Sequence, residues 1–358
     1  MRRARTSWHD PEPRGRRTMK ILVTGATGYV GGRLVPELLK AGHDVRTTKT
    51  ADEDVYPWWS DQVETVEMDV LDQSDVENAI VGVDAIYYLI HGMGGDDFAD
   101  NDRKAAELVR GAIELHGVQR VVYLSGIVPD VPESELSEHI TSRLEVERIL
   151  TASSATVITL RAAVLLGSAS TSFEIIRQVS ERMPLQTVPD WMNSDVQPIA
   201  VVDAIQALVG ALTIDGPSRH FDVGGPESMP YADLLDLYAD VADLKRPQVN
   251  VPLLPTGLVG SLVATLIDVP KPTVEALVES LHHDMVCGDG GPGVRELLPD
   301  GHRLIPMREA IQRSLAERTA EPKDADPMGP LPHDPPWAQG GEDKSLLDRV
   351  KDVLPGGH

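Results

Sequence analysis

The chain is short of cysteine: Cys287 stands alone. One thiol closes no intramolecular disulfide and builds no cysteine-rich zinc site, so a disulfide-stapled framework is excluded and a reducing, cytoplasmic setting is expected. Long apolar runs are also missing. No stretch reaches the ~18 residues of a membrane span. The N-terminal MRRARTSWHDPEPRGRRTMK is basic but lacks the apolar segment of an export signal. Basic residues are scarce overall, 33 Lys and Arg against 56 Asp and Glu, and the net charge of −23 argues against nucleic acid or an anionic membrane as partner. An acidic total leaves room for a local anion site at a helix N-terminus.

What is present is length and alternation. The 358 residues suffice for one large α/β domain with a smaller lobe. KILVTG, HDVRTTK, QVETVEMDV, DAIYYLI, RVVYLSG, TVITLRAAVLLG and HFDVGG read as strands. Amphipathic stretches fall between them, the first being YVGGRLVPELLKAG with Val30, Leu34, Val35, Leu38 and Leu39 on one face. Strand and helix alternating at this interval imply right-handed crossovers and a doubly wound parallel Rossmann sheet in an α/β fold. The expected organisation is a disordered leader over 1–18, a dinucleotide-binding domain over 19–230, a mostly helical C-terminal substrate lobe over 231–318 and a tail over 319–358, too rich in Pro, Gly and Asp to bury a core. A short helix is expected within the tail at Lys344 to Val353.

The segment Val23-Thr24-Gly25-Ala26-Thr27-Gly28-Tyr29-Val30-Gly31 joins the first strand to the first helix. Gly25 permits a tight turn, Gly28 lets backbone approach a pyrophosphate, and Gly31 lets the helix pack closely on the sheet. Free N–H groups and the positive dipole end then face the phosphates. At the end of the second strand Arg46, Thr48 and Lys49 precede any acid, which leans toward NADP, with NAD as the alternative.

Glycines spaced as GxxGxxG after a Thr resemble the short-chain dehydrogenase/reductase superfamily. QPIAVVDA and FDVGGPE resemble the late motifs of its extended and atypical, NmrA-like branches. The resemblance implies an NAD(P)-binding domain, with Asp69 and Val70 of MDVLD at the adenine and Ser125 of YLSG beside the reacting centre. Hydride-transferring members carry Tyr-x-x-x-Lys on the following helix. This chain reads LSEHITSRLEVERIL there, placing His139 and Arg143 one turn apart.

His139 is a candidate proton donor, and Arg143 a candidate for ribose or phosphate, since a guanidinium gives up no proton. The competing reading is a surface histidine with Arg143 paired to Glu147. His91, at the end of the fourth strand, is a candidate cofactor contact or a satisfied strand-end histidine.

No metal site is expected. His282 and His283 are adjacent and diverge, and Asp96 with Asp97 read as helix caps. GLVGSLVATLI from Gly257 reads as a buried helix, an apolar lid or a weak membrane contact.

Two functions follow. One is an NAD(P)H-dependent oxidoreductase acting on a small or apolar carbonyl or quinone, with Ser125, His139 and Arg143 at its centre. The other is a non-catalytic dinucleotide-binding redox sensor, favoured by the missing tyrosine and lysine. A sugar-nucleotide epimerase also needs that tyrosine and ranks below both.

Overall fold

The computed structural model describes residues 18–52, 56–92, 97–251, 263–264, 266–288, 291, 293–317, 321, 323 and 325–338. In chain order its elements are β1 (Lys20–Val23), α1 (Tyr29–Lys40), β2 (Asp44–Lys49), β3 (Glu64–Glu67), α2 (Gln73–Ile80), β4 (Ala85–Tyr88), α3 (Phe98–His116), β5 (Arg120–Gly126), α4 (Glu138–Thr151), β6 (Thr156–Ala162), β7 (Leu165–Leu166) and α5 (Thr171–Arg182). There follow β8 (Gln186–Val188), β9 (Asp195–Val196), β10 (Ile199–Ala200), α6 (Val201–Ala211), β11 (Arg219–Val223), β12 (Met229–Pro230), α7 (Tyr231–Val241) and β13 (Gln248–Asn250), then helices Lys271–Ser280 and Met307–Ser314.

Seven strands form one parallel sheet in the order β11-β6-β5-β4-β1-β2-β3. The order reverses between β1 and β4, and in open α/β sheets that switch point opens a crevice at the strands' C-terminal ends. Alternate residues feed two cores. Ile21, Val23, Ala85, Tyr87, Val122, Ile158 and Leu160 join one face, and Leu22, Ile86, Tyr88, Val121, Tyr123 and Val157 join the other. With both faces buried, the strands read as continuous apolar runs rather than as alternation. Helices α2, α3 and α4 cover the second face, and α1, α5, α6 and α7 the first.

Helix α1 carries a proline in its interior, Pro36. Proline has no N–H, so it frees the carbonyl four residues back, at Gly32. The indole of Trp59, 1% exposed, donates to that oxygen at 3.1 Å. Residues between β2 and β3 thereby brace the helix that follows the glycine turn.

The C-terminal part shares the main core. Leu234, Leu235 and Tyr238 of α7 lie in the same cluster as the first sheet face, so residue 231 marks no break in packing. Val263, Leu266, Ile267, Val269, Val274 and Val278 form a smaller cluster against Ile175 of α5. The expected helix from Gly257 falls mostly outside the described residues. So do the leader up to residue 17, Asp96 and the expected helix at Lys344 to Val353.

The expectation of a coreless tail fails for residues 325–338. Met328 is 0% and Leu331 5% exposed, and Asp334 forms a buried ion pair with Arg33 at 2.9 Å. Composition misled here because two apolar anchors and two charge pairs, Asp334 with Arg33 and Asp326 with Arg313, hold a proline-rich stretch.

Replacing Trp59 by Phe keeps most of the apolar contact and leaves the Gly32 carbonyl buried without a donor. The expected loss is ~1–3 kcal/mol, the usual penalty of an unsatisfied buried group. The check is a urea unfolding midpoint that falls while the slope stays constant; an unshifted midpoint refutes the brace.

Candidate active site

The glycine turn is tightly folded. Gly25 has φ +65°, a region that costs side chains energy, and its carbonyl accepts from the N–H of Gly28 at 3.1 Å. A Cβ on Gly31 would run into the Gly25 carbonyl oxygen and the Ala26 Cα. The close approach expected of Gly31 is therefore to the turn rather than to the sheet. Gly28 is the N-cap of α1, with no side chain capping the helix and no acid in its first turn. The first N–H groups and the dipole are left facing the crevice, the arrangement that accepts a pyrophosphate.

Thr24 is buried, and its hydroxyl donates to the Tyr87 carbonyl at 3.0 Å and accepts from the Leu89 N–H at 3.1 Å. It ties β1 to β4 and fixes the turn. Thr27 lies in the turn outside the cavity wall.

A cavity of about 320 Å³ begins at Gly25, Gly28, Tyr29, Val30 and Gly31 and continues past Leu89 and His91 after β4 to Ser125 in β5. His139 and Arg143 of α4 close one side, and the N-terminus of α5 (Ser170, Thr171 and Ser172) another. The remaining wall is mostly apolar, with Ile140, Leu124, Leu277, Leu281 and Met285. The fold thus brings the turn, His91, Ser125, His139 and Arg143 to one space. A dinucleotide laid across strand ends spaced ~4.8 Å apart would run from β1 toward β5 along this wall, so these residues fit the cofactor.

Arg143 is not paired with Glu147. That carboxylate, 9% exposed, takes Arg161 in a fork at 2.9 and 3.0 Å instead. Among the described residues no acid pairs with Arg143, and its guanidinium borders the cavity.

His139 stacks on Phe98, ring centroids 4.4 Å apart. Burial, and then the positive charge of Arg143, hold its imidazole below the ordinary histidine range. Burial pushes His91 well down, and Arg143 and His139 add to it. Both imidazoles are neutral at pH 7, so Arg143 is the cation among these groups. Ser125 is 4% exposed at the C-terminal end of β5.

Asp102, on α3, was not legible as a site residue. Its carboxylate accepts from the Gly92 N–H at 2.7 Å and from the Ser142 hydroxyl at 3.1 Å. It thereby joins the segment after β4, with His91, to α4, with His139 and Arg143. Ser170, Thr171, Ser172 and the apolar residues of Lys271–Ser280 were equally unforeseen, since their part in the site comes from long-range packing.

The NADP-side residues divide. Arg46 lies in mid-strand opposite Leu22. Its guanidinium is held by the carbonyls of Ala79 and Val81 at 2.8 and 2.9 Å and by Glu64 at 3.0 Å. It caps the end of α2, so the expectation that it binds phosphate is corrected. Thr48 is 5% exposed. Lys49 is the last residue of β2, and its ammonium lies 5.8 Å from the Tyr56 ring centroid.

Asp69 and Val70 follow β3 beside it, outside the cavity wall. The Asp69 carboxylate accepts from the Leu71 N–H at 2.9 Å, and Val70 packs on the second core. Asp97 occupies the N-cap of α3 without a side-chain capping bond. His282 and His283 line a separate outer cavity of about 390 Å³. No acid, histidine or cysteine cluster able to hold a metal occurs among the described residues, and no helix among them is long and apolar enough to cross a membrane.

Residues 25–190 match the family model described as NAD(P)H-binding. A 3 beta-hydroxysteroid dehydrogenase/Delta 5-->4-isomerase of Mycobacterium tuberculosis is 36% identical over 119 residues, 30% of this chain and 31% of that protein. Sterol demethylase protein B of Methylococcus capsulatus is 28% identical over 234 residues, 61% of this chain and 64% of that one. The chain thus spans about a third of the first relative's length and under two thirds of the second's.

Among solved structures, a nucleoside-diphosphate-sugar epimerase of Staphylococcus aureus shares the fold with TM-score 0.65 at 12% identity, covering 82% of this chain and 100% of that one. The NAD complex of Thermus thermophilus UDP-glucose 4-epimerase gives 0.54 at 18%, covering 74% and 99%. Residues 25–190 are thus similar to the NAD(P)H-binding family, and the chain shares the fold of the solved epimerases.

Proposed function

We propose that the protein is an NAD(P)H-dependent oxidoreductase that reduces a carbonyl or quinone on an apolar molecule. The observation that supports this best is the cavity itself. It runs from the phosphate turn to Ser125, His139 and Arg143 without interruption, and beyond them its walls are apolar. A bare dinucleotide sensor needs no such extension.

The nicotinamide, when bound, supplies hydride. The Arg143 guanidinium would hold the cofactor's ribose or phosphate, the Ser125 hydroxyl would hydrogen-bond the substrate oxygen, and His139 would deliver the proton. Ile140, Leu277, Leu281 and Met285 would exclude water and hold the apolar body of the substrate. Two relatives carry steroid or sterol in their names, and a polycyclic ketone suits such walls. For the cofactor, Lys49 supports NADP.

The direct test is oxidation of NADPH and NADH by purified protein with quinones, enones, aldehydes and a steroid ketone. Sustained turnover with any of them is expected, and tight binding with no turnover across the panel refutes the proposal.

His139→Ala is expected to keep dinucleotide affinity and lose turnover by ~100-fold or more, the scale of general acid catalysis. Arg143→Ala is expected to weaken cofactor binding, with only partial recovery in Arg143→Lys, because an ammonium does not reproduce the guanidinium fork. If both alanine variants match wild type in both quantities, the catalytic assignment is wrong.

The direction of the His139 shift fixes a pH dependence. A donor imidazolium exists only below its folded pKa, which here lies under the ordinary value of about 6.5. Carbonyl reduction should therefore be fastest in acid and fall as pH rises through that limb, while alcohol oxidation rises through the same limb. A kcat/KM for reduction that stays flat from pH 5 to 8 removes His139 as the acid.

Lys49→Ala is expected to weaken NADPH binding and leave NADH unchanged, read by calorimetry. An NADH preference in the wild type that survives the substitution overturns the NADP assignment.

A further inference from the structure

We propose that residues 325–338 form a clamp that positions the dinucleotide site without touching it, through Arg33 and Asp334. This rests on the dinucleotide site being where the glycine turn places it.

Arg33 lies one turn into α1, and its side chain is 1% exposed. Its Nη1 and Nη2 donate to both oxygens of Asp334 at 2.9 and 3.2 Å. Its Nε donates to the Pro327 carbonyl at 2.8 Å, and Nη2 also reaches the Gly329 carbonyl at 3.3 Å. The same guanidinium serves the cavity side. It donates to the carbonyl of Tyr29 at 3.3 Å and to that of Ser168 at 3.1 Å, and it lies 4.1 Å from the Tyr29 ring centroid. Asp334 is closed in turn by the N–H of Leu331 at 2.6 Å.

Both cavity-side partners matter. Tyr29 is the first residue of α1, the helix whose N-terminus faces the phosphates, and it lines the cavity. Ser168 precedes Ala169, held at φ +69°, and Ser170, the N-cap of α5 and part of the cavity wall. Non-glycine residues keep such a φ only where their surroundings impose it. Here the Ser168 N–H donates to the Met328 carbonyl at 2.8 Å, and the Ala169 N–H donates to Glu174 at 3.1 Å. The clamp therefore fixes two helix N-termini that border one cavity. It presses close on α1: a Cβ on Gly32 would lie 2.8 Å from Nε2 of His333.

A buried ion pair of this kind gives little net stability, yet losing one partner strands the other charge. Released from Asp334, Arg33 would turn toward solvent and free both Tyr29 and Ser168. If the dinucleotide binds the docked state more tightly, linkage requires it to hold the clamp shut by the same factor.

The test has two parts, both on the full chain. Hydrogen exchange of the amides of 325–338 is followed with and without saturating NADPH. Exchange is expected to slow by about tenfold, within the usual range of coupling between sites. Calorimetry then compares NADPH affinity in wild type, Asp334→Asn and Arg313→Gln. The last breaks the clamp's other anchor, Arg313 to Asp326 at 2.7 and 2.8 Å, which lies away from α1.

Asp334→Asn is expected to weaken binding about tenfold or more, and Arg313→Gln by less than about twofold. Unchanged exchange on NADPH binding overturns the clamp. So does equal affinity in wild type and a folded Asp334→Asn, or an equal loss in both variants, which would mean general loosening. Should Asp334→Asn fail to fold, the exchange experiment on the wild type decides alone. A wild type that binds neither NADPH nor NADH would overturn the dinucleotide site itself, a result separate from any failure of the clamp.

Discussion

The site depends on how closely the N-terminus of α1 approaches the turn that precedes it. Gly31 has no space for a methyl group because the Gly25 carbonyl and Ala26 occupy it, and Gly25 itself has positive φ. That contact sets the angle at which the first N–H groups of α1 leave the sheet. A helix dipole acts over about its first turn only, so small changes in that angle decide whether phosphate is held. Thr24 anchors the turn to β4, Trp59 secures the carbonyl that Pro36 frees, and Arg33 ties α1 to Asp334. Three unrelated parts of the chain therefore converge on one short helix.

Electrostatics at the site differ from those of the molecule. The chain carries a net charge of −23, yet the cavity is lined by Arg143, which no acid among the described residues pairs, and by two imidazoles held down by burial and by that arginine. Glu147 would neutralise Arg143 if it were free, but Arg161 holds it. The ion pair between α4 and β6 is thus a means of keeping a neighbouring cation available. Asp102 lies behind the site on backbone and hydroxyl donors, where it fixes positions.

The α/β architecture, the strands and the glycine turn were legible because they rest on local rules: apolar runs of strand length, helical periodicity and glycine where φ turns positive or backbone crowds. His91, Ser125, His139 and Arg143 could be named from their places at strand ends and on one helix face. The errors share one cause. Arg46 reads as a phosphate contact because a sequence shows a side chain's charge but not the carbonyls of Ala79 and Val81 that hold it. Residues 325–338 were read as a tail because proline and glycine content says nothing about an arginine some three hundred residues earlier.

The sequence by itself determined that a parallel sheet would form and that its first crossover would present bare N–H groups to an anion, since both follow from residues close together along the chain. Only the tertiary structure decided which cation borders the cavity, which walls the cavity has, and what holds α1 in place. Those outcomes rest on partners far apart in sequence, as Arg33 with Asp334 and Glu147 with Arg161 show. A buried charge takes whichever partner the packing brings within reach, and packing is not written in any local stretch.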